Sequence, residues 1–482
     1  MRRLNSSLRH CSGAVPWILR RPSFAAKVRA AAKDLCLLAP LIASLGLPLA
    51  GRVTAQTFSM IHTFTGVGGD GAKPYGGLIL SGNRLYGTTG SGGTIFAFNT
   101  DGTGFTNLYR FSGFIPPYNT NGDGDFPDAP LTLAGNTLYG TTSGGGGSVF
   151  AINTDGTGFT NLYSFVGKSG SGLPEAGLTL SGNTLYGTTY GAGFDWGTVF
   201  AINTDGSSMK TLHSFTNTDG AYPRSELILS GKTLYGTTVN GGSSGSGTLF
   251  AINTNGTGFT TLYNFTGAMD GAGPGRLILL GNTLYGTAVA GGSSSNGTVF
   301  KVDIDGRGFK NLHNFTAIDR PYSISNGDGA APMGGLVLLG NTLYGTTVGG
   351  GSFGEGTLFK VNIDGSGFAT VHSFNDKDDG AEPTGLLAVS QNTLYGTTYT
   401  LGSAGQGTVY SLSLLPKLTI VPSGAKLLLT WPTNFTGFTV QSTANLVSAV
   451  WTTNSATPIV LNGQYTVTNP ISGPQQFFRL GQ

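Results

Sequence analysis

Side chains with oxygen ligands alternate with glycines in one segment of this 482-residue chain, Asn119-Thr-Asn121-Gly-Asp123-Gly-Asp125. Ca²⁺ takes about six to eight hard oxygen ligands, and glycines allow a loop to bend around the ion. The segment would supply roughly half of such a set, without the bidentate glutamate that completes an EF-hand loop. It therefore predicts either a calcium site formed by Asn119, Asn121, Asp123 and Asp125 or a solvated turn.

Aromatic side chains occur in several long loops and could stack against sugar rings. The candidate ligand-binding residues are Phe114, Tyr118, Phe194, Asp195, Trp196 and Tyr322. Asp195 adds a carboxylate beside two of the rings. Aromatic rings have flat apolar faces, and nearby carboxylates can accept hydrogen bonds from hydroxyls. The alternative interpretation is that these rings anchor their own loops.

The sequence contains no recognisable catalytic constellation. The histidines that follow residue 55 all stand two residues before a phenylalanine, in a position that other copies of the same segment fill with tyrosine. They are His62, His213, His313 and His372. Interchange with tyrosine indicates a packing or hydrogen-bonding position. No Ser-His-Asp arrangement, glycosidase carboxylate pair or phosphate-binding glycine loop can be assigned, so we predict a protein that is not an enzyme.

The elements that position these residues are repeats. The tripeptide Leu-Tyr-Gly recurs at intervals of about 50 residues, the range of propeller blades. Its tyrosines are Tyr86, Tyr139, Tyr186, Tyr235, Tyr285, Tyr344 and Tyr395. Each copy continues with threonine, a Gly/Ser-rich stretch and a strand similar to Gly-Thr-Val-Phe. Internal repetition of this kind predicts one supersecondary unit per copy.

The third copy defines the unit. We expect strand a at 178–180, strand b at 184–189, strand c at 197–203 and strand d at 209–215, because these runs are rich in β-branched and aromatic residues. Asn-Gly-type and Asp-Gly-type turns separate them and favour tight hairpins. Four short antiparallel strands without a helical period predict one blade of a β-propeller.

Strands a, b and c occur seven times, but the last copy lacks strand d. A lone d-like strand at 58–64 would complete it, which predicts a closed seven-bladed propeller over residues 56–415. Closure would remove exposed sheet edges. The repeated tyrosine of strand b and the phenylalanine that ends strand d are expected to pack between blades. Those phenylalanines are Phe64, Phe111, Phe165, Phe215, Phe265, Phe315 and Phe374.

The strings GNTLYGTT, GTVFAINTDGTGF and NLYSF resemble the GloVer-type tandem repeats of exported "choice-of-anchor" bacterial proteins. The resemblance covers about residues 57–414. It implies an extracellular or cell-envelope location. It implies no particular activity, and no functional residue is carried over from it.

Residues 1–55 differ from the rest of the chain. A basic segment, a short apolar run at 35–50 and the small residues of Val53-Thr-Ala55 predict a secretory signal peptide. Removing it lowers Lys plus Arg from 26 to 17 and Asp plus Glu from 23 to 22, so the formal net charge changes from +3 to −5. Both cysteines leave with the leader. A mildly acidic remainder argues against nucleic-acid binding.

The repeat stops before residues 416–482, which still alternate like strands. A tryptophan, Trp431, occupies a position that suggests burial. The segment resembles an Ig/fibronectin-III-like β-sandwich, and it contains no apolar helix followed by basic residues that would act as a transmembrane anchor. It would serve as an attachment module or as a cap on the propeller.

Loop variation within the chain indicates which face binds a partner. The a–b and c–d turns are nearly uniform, whereas the b–c and d–a loops differ from copy to copy, and variable loops on a rigid scaffold usually carry binding. We predict an exported, non-catalytic binding or adhesion scaffold for an extracellular glycan or protein. The alternatives are a carbohydrate-binding or carbohydrate-active propeller, which carboxylates at one mouth of the channel would favour, and a structural envelope component.

Overall fold

The computed structural model describes residues 56–67, 69–112, 122–165, 172–191, 195–318, 325–414, 416, 418–433, 438–445, 450–454, 456–471 and 475–481. Every regular element in these ranges is a β-strand. Across the same ranges, no helix is long and apolar enough to cross a bilayer.

Eight of the nine sheets in the described residues are antiparallel and have four strands, and seven of these eight are formed by the repeats together with β1. The third sheet shows why the repeat folds in this way. Its strands are β10 (Thr179–Ser181), β11 (Thr184–Thr189), β12 (Thr198–Asn203) and β13 (Lys210–Ser214). Between β10 and β11, Gly182 has a φ of +56°, a conformation that glycine adopts without steric cost. The predicted a, b, c and d strands are thus formed in their predicted order.

The other six sheets repeat this arrangement. The first four are β2 (Leu78–Ser81), β3 (Arg84–Thr89), β4 (Thr94–Asn99), β5 (Thr106–Arg110); β6 (Thr132–Ala134), β7 (Thr137–Thr142), β8 (Ser148–Asn153), β9 (Thr160–Ser164); β14 (Ile228–Ser230), β15 (Thr233–Thr238), β16 (Thr248–Asn253), β17 (Thr260–Asn264); and β18 (Ala272–Leu280), β19 (Thr283–Ala290), β20 (Thr298–Asp303), β21 (Lys310–Asn314). The last two are β22 (Leu336–Leu339), β23 (Thr342–Thr347), β24 (Thr357–Asn362), β25 (Ala369–Ser373); and β26 (Ala388–Ser390), β27 (Thr393–Thr398), β28 (Thr408–Leu414) with β1 (Gln56–Thr63).

Strand β1 occupies the outermost place of the seventh sheet. It pairs antiparallel with β28, from Gln56 opposite Leu414 to Thr63 opposite Thr408. A chain segment that precedes all the repeats therefore supplies the fourth strand that the last repeat lacks. This is the pairing that the lone d-like strand predicted.

Seven apolar clusters lie between consecutive sheets. In one of them, Tyr86 of the first sheet packs with Leu138 and Phe150 of the second. In another, Tyr395 and Phe64 of the seventh sheet pack with Leu78 of the first. All seven repeated tyrosines and all seven terminal phenylalanines lie in these clusters, which confirms the predicted inter-sheet packing. Burial of each ring contributes about 1.5–3 kcal/mol.

The remaining strands form two smaller sheets. The four-stranded sheet has the order β29 (Thr419–Ser423), β30 (Lys426–Pro432), β34 (Gln464–Pro470), β33 (Ile459–Leu461), and the three-stranded sheet has the order β32 (Thr452–Thr453), β31 (Thr439–Thr443), β35 (Phe477–Gly481). Leu429, Trp431 and Val467 of the first sheet form one core with Val440 of the second. The predicted burial of Trp431 is confirmed, since its side chain is 1% exposed. The strand-like alternation predicted for 416–482 gave no bounds for the two edge strands β29 and β33.

Candidate functional site

Each repeat enters its innermost strand through a proline, followed four residues later by leucine, as in Pro74 and Leu78. The fifth repeat is one residue shorter, with Pro274 and Leu277. The residues between them alternate between uniform and variable types. The residues directly after the proline are Tyr75, Asp128, Glu175, Arg224, Gly275, Met333 and Thr384; those directly before the leucine are Gly77, Pro130, Gly177, Glu226, Arg276, Gly335 and Leu386.

The variable residues come together around one cavity. Its volume is about 470 Å³, and all seven repeats contribute to its lining. Thirteen of the fourteen variable residues line it; the exception is Gly77, whose neighbour Gly76 does so. The small residues between the variable positions also line it in four repeats, as Gly76, Ala176, Ser225 and Gly334. The cavity lies where the d–a segments enter the innermost strands, on the face predicted to bind.

Two ion pairs lie in the cavity wall. Arg224 donates through both Nε and Nη2 to Oε2 of Glu175, each at 2.6 Å. Arg276 pairs with Glu226. Burial raises the pKa of Glu226, and the neighbouring Arg276 opposes that rise. Each arginine of the lining is therefore engaged by a glutamate from the preceding repeat.

Asp128 is a third carboxyl group in the lining, and it has no ion-pair partner among the described residues. The hydroxyl of Ser143 donates to its Oδ2 over 3.3 Å. Burial raises the pKa of Asp128 to about 6, helped by the charges of Glu175 and Asp125 and opposed by Ser143 and Arg224. This carboxyl group therefore changes its protonation state close to neutral pH.

Tyrosine rings flank these charges. Tyr75 and Tyr399 make an edge contact with centroids 5.7 Å apart, and both line the cavity. The ammonium of Lys73 lies 5.4 Å from the centroid of the Tyr399 ring. The guanidinium of Arg224 lies 4.9 Å from the centroid of Tyr190. The rings provide flat apolar surfaces beside charged groups, a combination that suits polar ligands with an apolar face.

The sequence analysis did not predict the cavity residues. They lie about 50 residues apart, the length of one repeat, and each resembles ordinary loop variation when considered alone. The signal that could have found them is the alternation itself. Variable residues stand between a uniform proline, a small residue and a leucine in every copy except the fifth, which lacks the small residue.

The predicted aromatic site is only partly described. Phe114, Tyr118, Phe194 and Tyr322 lie outside the described residues, whereas Asp195 is exposed and Trp196 is half-buried. Trp196 packs against the cluster between the third and fourth sheets, and its ring centroid lies 5.5 Å from that of Tyr222. Its carbonyl also accepts the Tyr222 N–H at 2.8 Å. These contacts favour the interpretation that Trp196 anchors its loop.

The predicted calcium ligands are likewise divided, since Asn119 and Asn121 lie outside the described residues. Oδ2 of Asp123 accepts hydrogen bonds from Tyr109 (3.1 Å) and from the N–H (2.9 Å) and hydroxyl (2.8 Å) of Ser112. Its Oδ1 is buried without a described donor. Asp125 accepts the N–H of Phe126 at 2.9 Å. Within the described part of the chain, no three His, Cys, Asp or Glu side chains are grouped to hold a metal ion.

The role of Asp123 recurs in other repeats. Oδ2 of Asp219 lies 3.0 Å from Nε2 of His213, and Oδ2 of Asp270 accepts the Tyr263 hydroxyl at 3.1 Å. An aspartate at the start of the Asp-Gly turn thus binds the His or Tyr of strand d. The predicted hydrogen-bonding role of that position is confirmed, and the recurrence favours the turn interpretation of Asp123.

The sequence profile of the Gloeobacter/Verrucomicrobia repeat matches residues 51–193, 146–326 and 318–424. The chain belongs to the Gloeobacter/Verrucomicrobia repeat family. This membership confirms the resemblance inferred from the recurring strings. No curated protein matches this repeat protein.

Several solved structures are similar to this repeat protein at low identity. An oligogalacturonate lyase from Vibrio parahaemolyticus has a TM-score of 0.48 at 10% identity, covering 75% of this chain and 94% of that chain. The computationally designed Ika8 protein has a TM-score of 0.42 at 14% identity, covering 71% and 98%. A protein of unknown function from Bacteroides thetaiotaomicron has a TM-score of 0.41 at 14% identity, covering 74% and 76%.

Proposed function

We propose that the seven four-stranded sheets are the blades of one closed β-propeller and that 416–482 form an Ig/fibronectin-III-like sandwich. Two observations support closure. Strand β1 completes the seventh sheet, and an apolar cluster joins that sheet to the first. A ring of this kind buries the edges that an open array would expose.

We propose that this propeller is an exported, non-catalytic binding protein and that it holds the end of an extracellular glycan in the cavity. The carrying observation is that the variable positions of an otherwise uniform repeat line one cavity of about 470 Å³. A cavity of several hundred Å³ with a few convergent polar groups is typical of ligand sites. The basic and apolar leader supports export, as does the location that the family resemblance implies.

The chemistry of the lining supports a sugar. Asp128 and Glu175 offer oxygen acceptors for hydroxyl groups, while Tyr75 and Tyr399 offer ring faces and edges. Binding rather than catalysis is favoured because the two glutamates of the lining are each neutralised by an arginine. A group held in an ion pair is a poor proton donor.

A glycan array with the purified protein tests this function. Met333→Trp should fill the cavity from its neutral side and weaken binding by about tenfold or more, a loss of about 1.4 kcal/mol. Met269→Trp is the matched control, because Met269 is 62% exposed and does not line the cavity. Equal binding by both variants would show that the glycan binds outside the cavity. An array without any bound glycan would favour adhesion to a protein or a structural role.

A carbohydrate-active enzyme is the second candidate, and one observation favours it. Three carboxyl groups, those of Asp128, Glu175 and Glu226, line the cavity. A carboxyl group with a raised pKa beside an ionised one is the pairing that glycosidases use. Incubation with polysaccharides and an assay for new reducing ends distinguishes the two candidates. If the protein cleaves a polysaccharide and Asp128→Asn abolishes the cleavage, the protein is an enzyme and the non-catalytic binding function is wrong.

A further inference from the structure

The charges that line the cavity do not balance. The described lining residues include three carboxyl groups and two guanidinium groups. Since both guanidiniums pair with glutamates, the excess negative charge belongs to Asp128. An unpaired carboxylate is costly to bury, and a ligand that brings a positive charge would offset that cost.

The surroundings of Asp128 supply one weak donor. The Ser143 hydroxyl lies 3.3 Å from Oδ2, and Gly90 lies so close that a Cβ there would stand 2.2 Å from Oδ1. The ionisable groups facing it are Glu175, Asp125 and Arg224, with Tyr75 at the edge of the same group. Of the cations around the cavity, Arg224 is held by Glu175.

The nearby lysine does not fill this role. Lys73 places its ammonium over the Tyr399 ring, 5.4 Å from the centroid. In the part of the chain that the structure describes, no ion pair joins Lys73 to Asp128. Asp128 consequently remains available to a cation from outside.

The wall formed by the sixth and seventh repeats is neutral. Met333, Thr384 and Leu386 line it, and Oγ1 of Thr384 is buried without a hydrogen-bond partner. A ligand with an apolar face, hydroxyl groups and one cationic group would match both walls. A neutral sugar could form hydrogen bonds with the lining through its hydroxyl groups, but it would not neutralise the charge of Asp128.

Resting on the binding function proposed above, we propose that the cavity selects a sugar unit with a free primary amino group, whose ammonium pairs with Asp128. A charge-assisted hydrogen bond of this kind is stronger than a neutral one. The acetylated form of the same sugar lacks the charge and should be discriminated against.

Proton exchange follows from this pairing. The pKa of Asp128 is about 6 without ligand because the site is buried, and a bound ammonium would lower it. Binding at pH 6 should therefore release protons to the buffer. At pH 5 most of the protein would carry a neutral Asp128, which would weaken binding of the amino sugar.

Titration calorimetry of the full chain tests the proposal with three tetramers: β-1,4-linked glucosamine, β-1,4-linked N-acetylglucosamine and β-1,4-linked glucose. We expect the glucosamine tetramer to bind about tenfold more tightly than either neutral tetramer at pH 6.5, where its amino groups are partly protonated and Asp128 is mostly ionised. Asp128→Asn should remove that preference. The control Asp378→Asn deletes an exposed carboxylate from a d–a loop outside the cavity and should keep it.

The outcomes separate the two proposals. Equal affinity for all three tetramers, with Asp128→Asn unchanged, would overturn the amino-sugar inference and leave glycan binding standing. A preference that survives Asp128→Asn would also overturn it. Failure of every oligosaccharide, including those of the array, would overturn the glycan-binding function itself.

Discussion

The ring of Phe58 lies flat against the imidazole of His372, with centroids 3.9 Å apart and planes inclined by 6°. Phe58 belongs to β1, and His372 belongs to the outermost strand of the sixth sheet. The same stacking joins His62 to Phe105 and His313 to Phe368, where the phenylalanine comes from the c–d turn of the next repeat. Strand β1 therefore supplies the backbone hydrogen bonds of the fourth strand that the last repeat lacks. It also supplies the aromatic side chain that stacks on the histidine of the preceding sheet.

Phe58→Ala should lower the free energy of unfolding by about 3 kcal/mol, because a stacked ring between two sheets is replaced by a methyl group. Denaturant unfolding followed by circular dichroism measures the change. Phe353→Ala is the control, since Phe353 is 58% exposed, and it should shift stability by less than about 0.5 kcal/mol. Equal effects of the two variants would contradict a stabilising role for the contact of Phe58 with the sixth sheet.

Tyr410→Phe should stabilise the protein by about 1–2 kcal/mol, because its hydroxyl is buried without a partner. Six other repeats carry phenylalanine at this position: Phe96, Phe150, Phe200, Phe250, Phe300 and Phe359. Thermal unfolding measures the effect. Tyr109→Phe should act in the opposite direction, because it deletes the hydrogen bond to Asp123. A loss of stability in Tyr410→Phe would show that the hydroxyl has a partner.

His213→Tyr should make stability less sensitive to acid. Burial lowers the pKa of His213 below its usual 6.5, with Asp219 opposing the shift. A lowered folded-state pKa gives a contribution that is present above about pH 6.5 and lost as the pH falls, because the unfolded chain takes up the proton first. Tyrosine keeps a hydrogen bond to the aspartate, as Tyr263 does with Asp270. The variant should lose less stability than the parent protein between pH 8 and pH 5, as measured by unfolding curves at the two pH values.

The reciprocal change is the check on that prediction. Tyr263→His should introduce a loss of stability at pH 5 that the parent protein lacks at this repeat. If both variants keep the acid sensitivity of the parent, the titrating groups lie elsewhere.

Asp128→Asn should stabilise the protein at neutral pH. The carboxyl group has a pKa of about 6 in the folded chain and an ordinary value of 3.8. A raised folded-state pKa gives stability that is complete below about pH 4 and is lost as the pH rises to about 6, for a total of about 2–3 kcal/mol. The asparagine variant should lack this particular loss, whereas Asp378→Asn should follow the parent. Identical profiles in the parent and in the asparagine variant would contradict the raised pKa of Asp128.

The sequence predicted the four-stranded sheets well because the same strand and turn residues recur in each repeat. Strand b carries Leu-Tyr-Gly in every copy and strand c carries a string similar to Gly-Thr-Val-Phe, so the prediction made on the third copy applied to the others. The edge strands β29 and β33 were harder to predict, because no repeat defines their bounds and little of their surface is buried. They are short and exposed, and the hydrophobic alternation that marks a half-buried strand is weak in them.

The candidate site was harder to predict, and the reason is geometric. Asp128 and Arg224 are nearly a hundred positions apart in the sequence, yet they approach closely enough for Arg224 to influence the pKa of Asp128. Proximity of that kind depends on how the sheets are arranged around a common centre. Trp196 shows the opposite error. As an aromatic residue in a variable loop it was predicted to contact a ligand, but it packs against the apolar cluster between the third and fourth sheets.

Ahead of each innermost strand, the variable residues and the uniform residues have different roles. The variable residues line the cavity, and the uniform residues maintain the fold. Proline and leucine hold every segment in place, while the intervening side chains face the cavity one repeat at a time. A duplication or a point change in one copy would thus alter a single sector of the lining and leave six others intact. Chains of this design could acquire new ligands by small, independent steps, with the cost in folding confined to one copy.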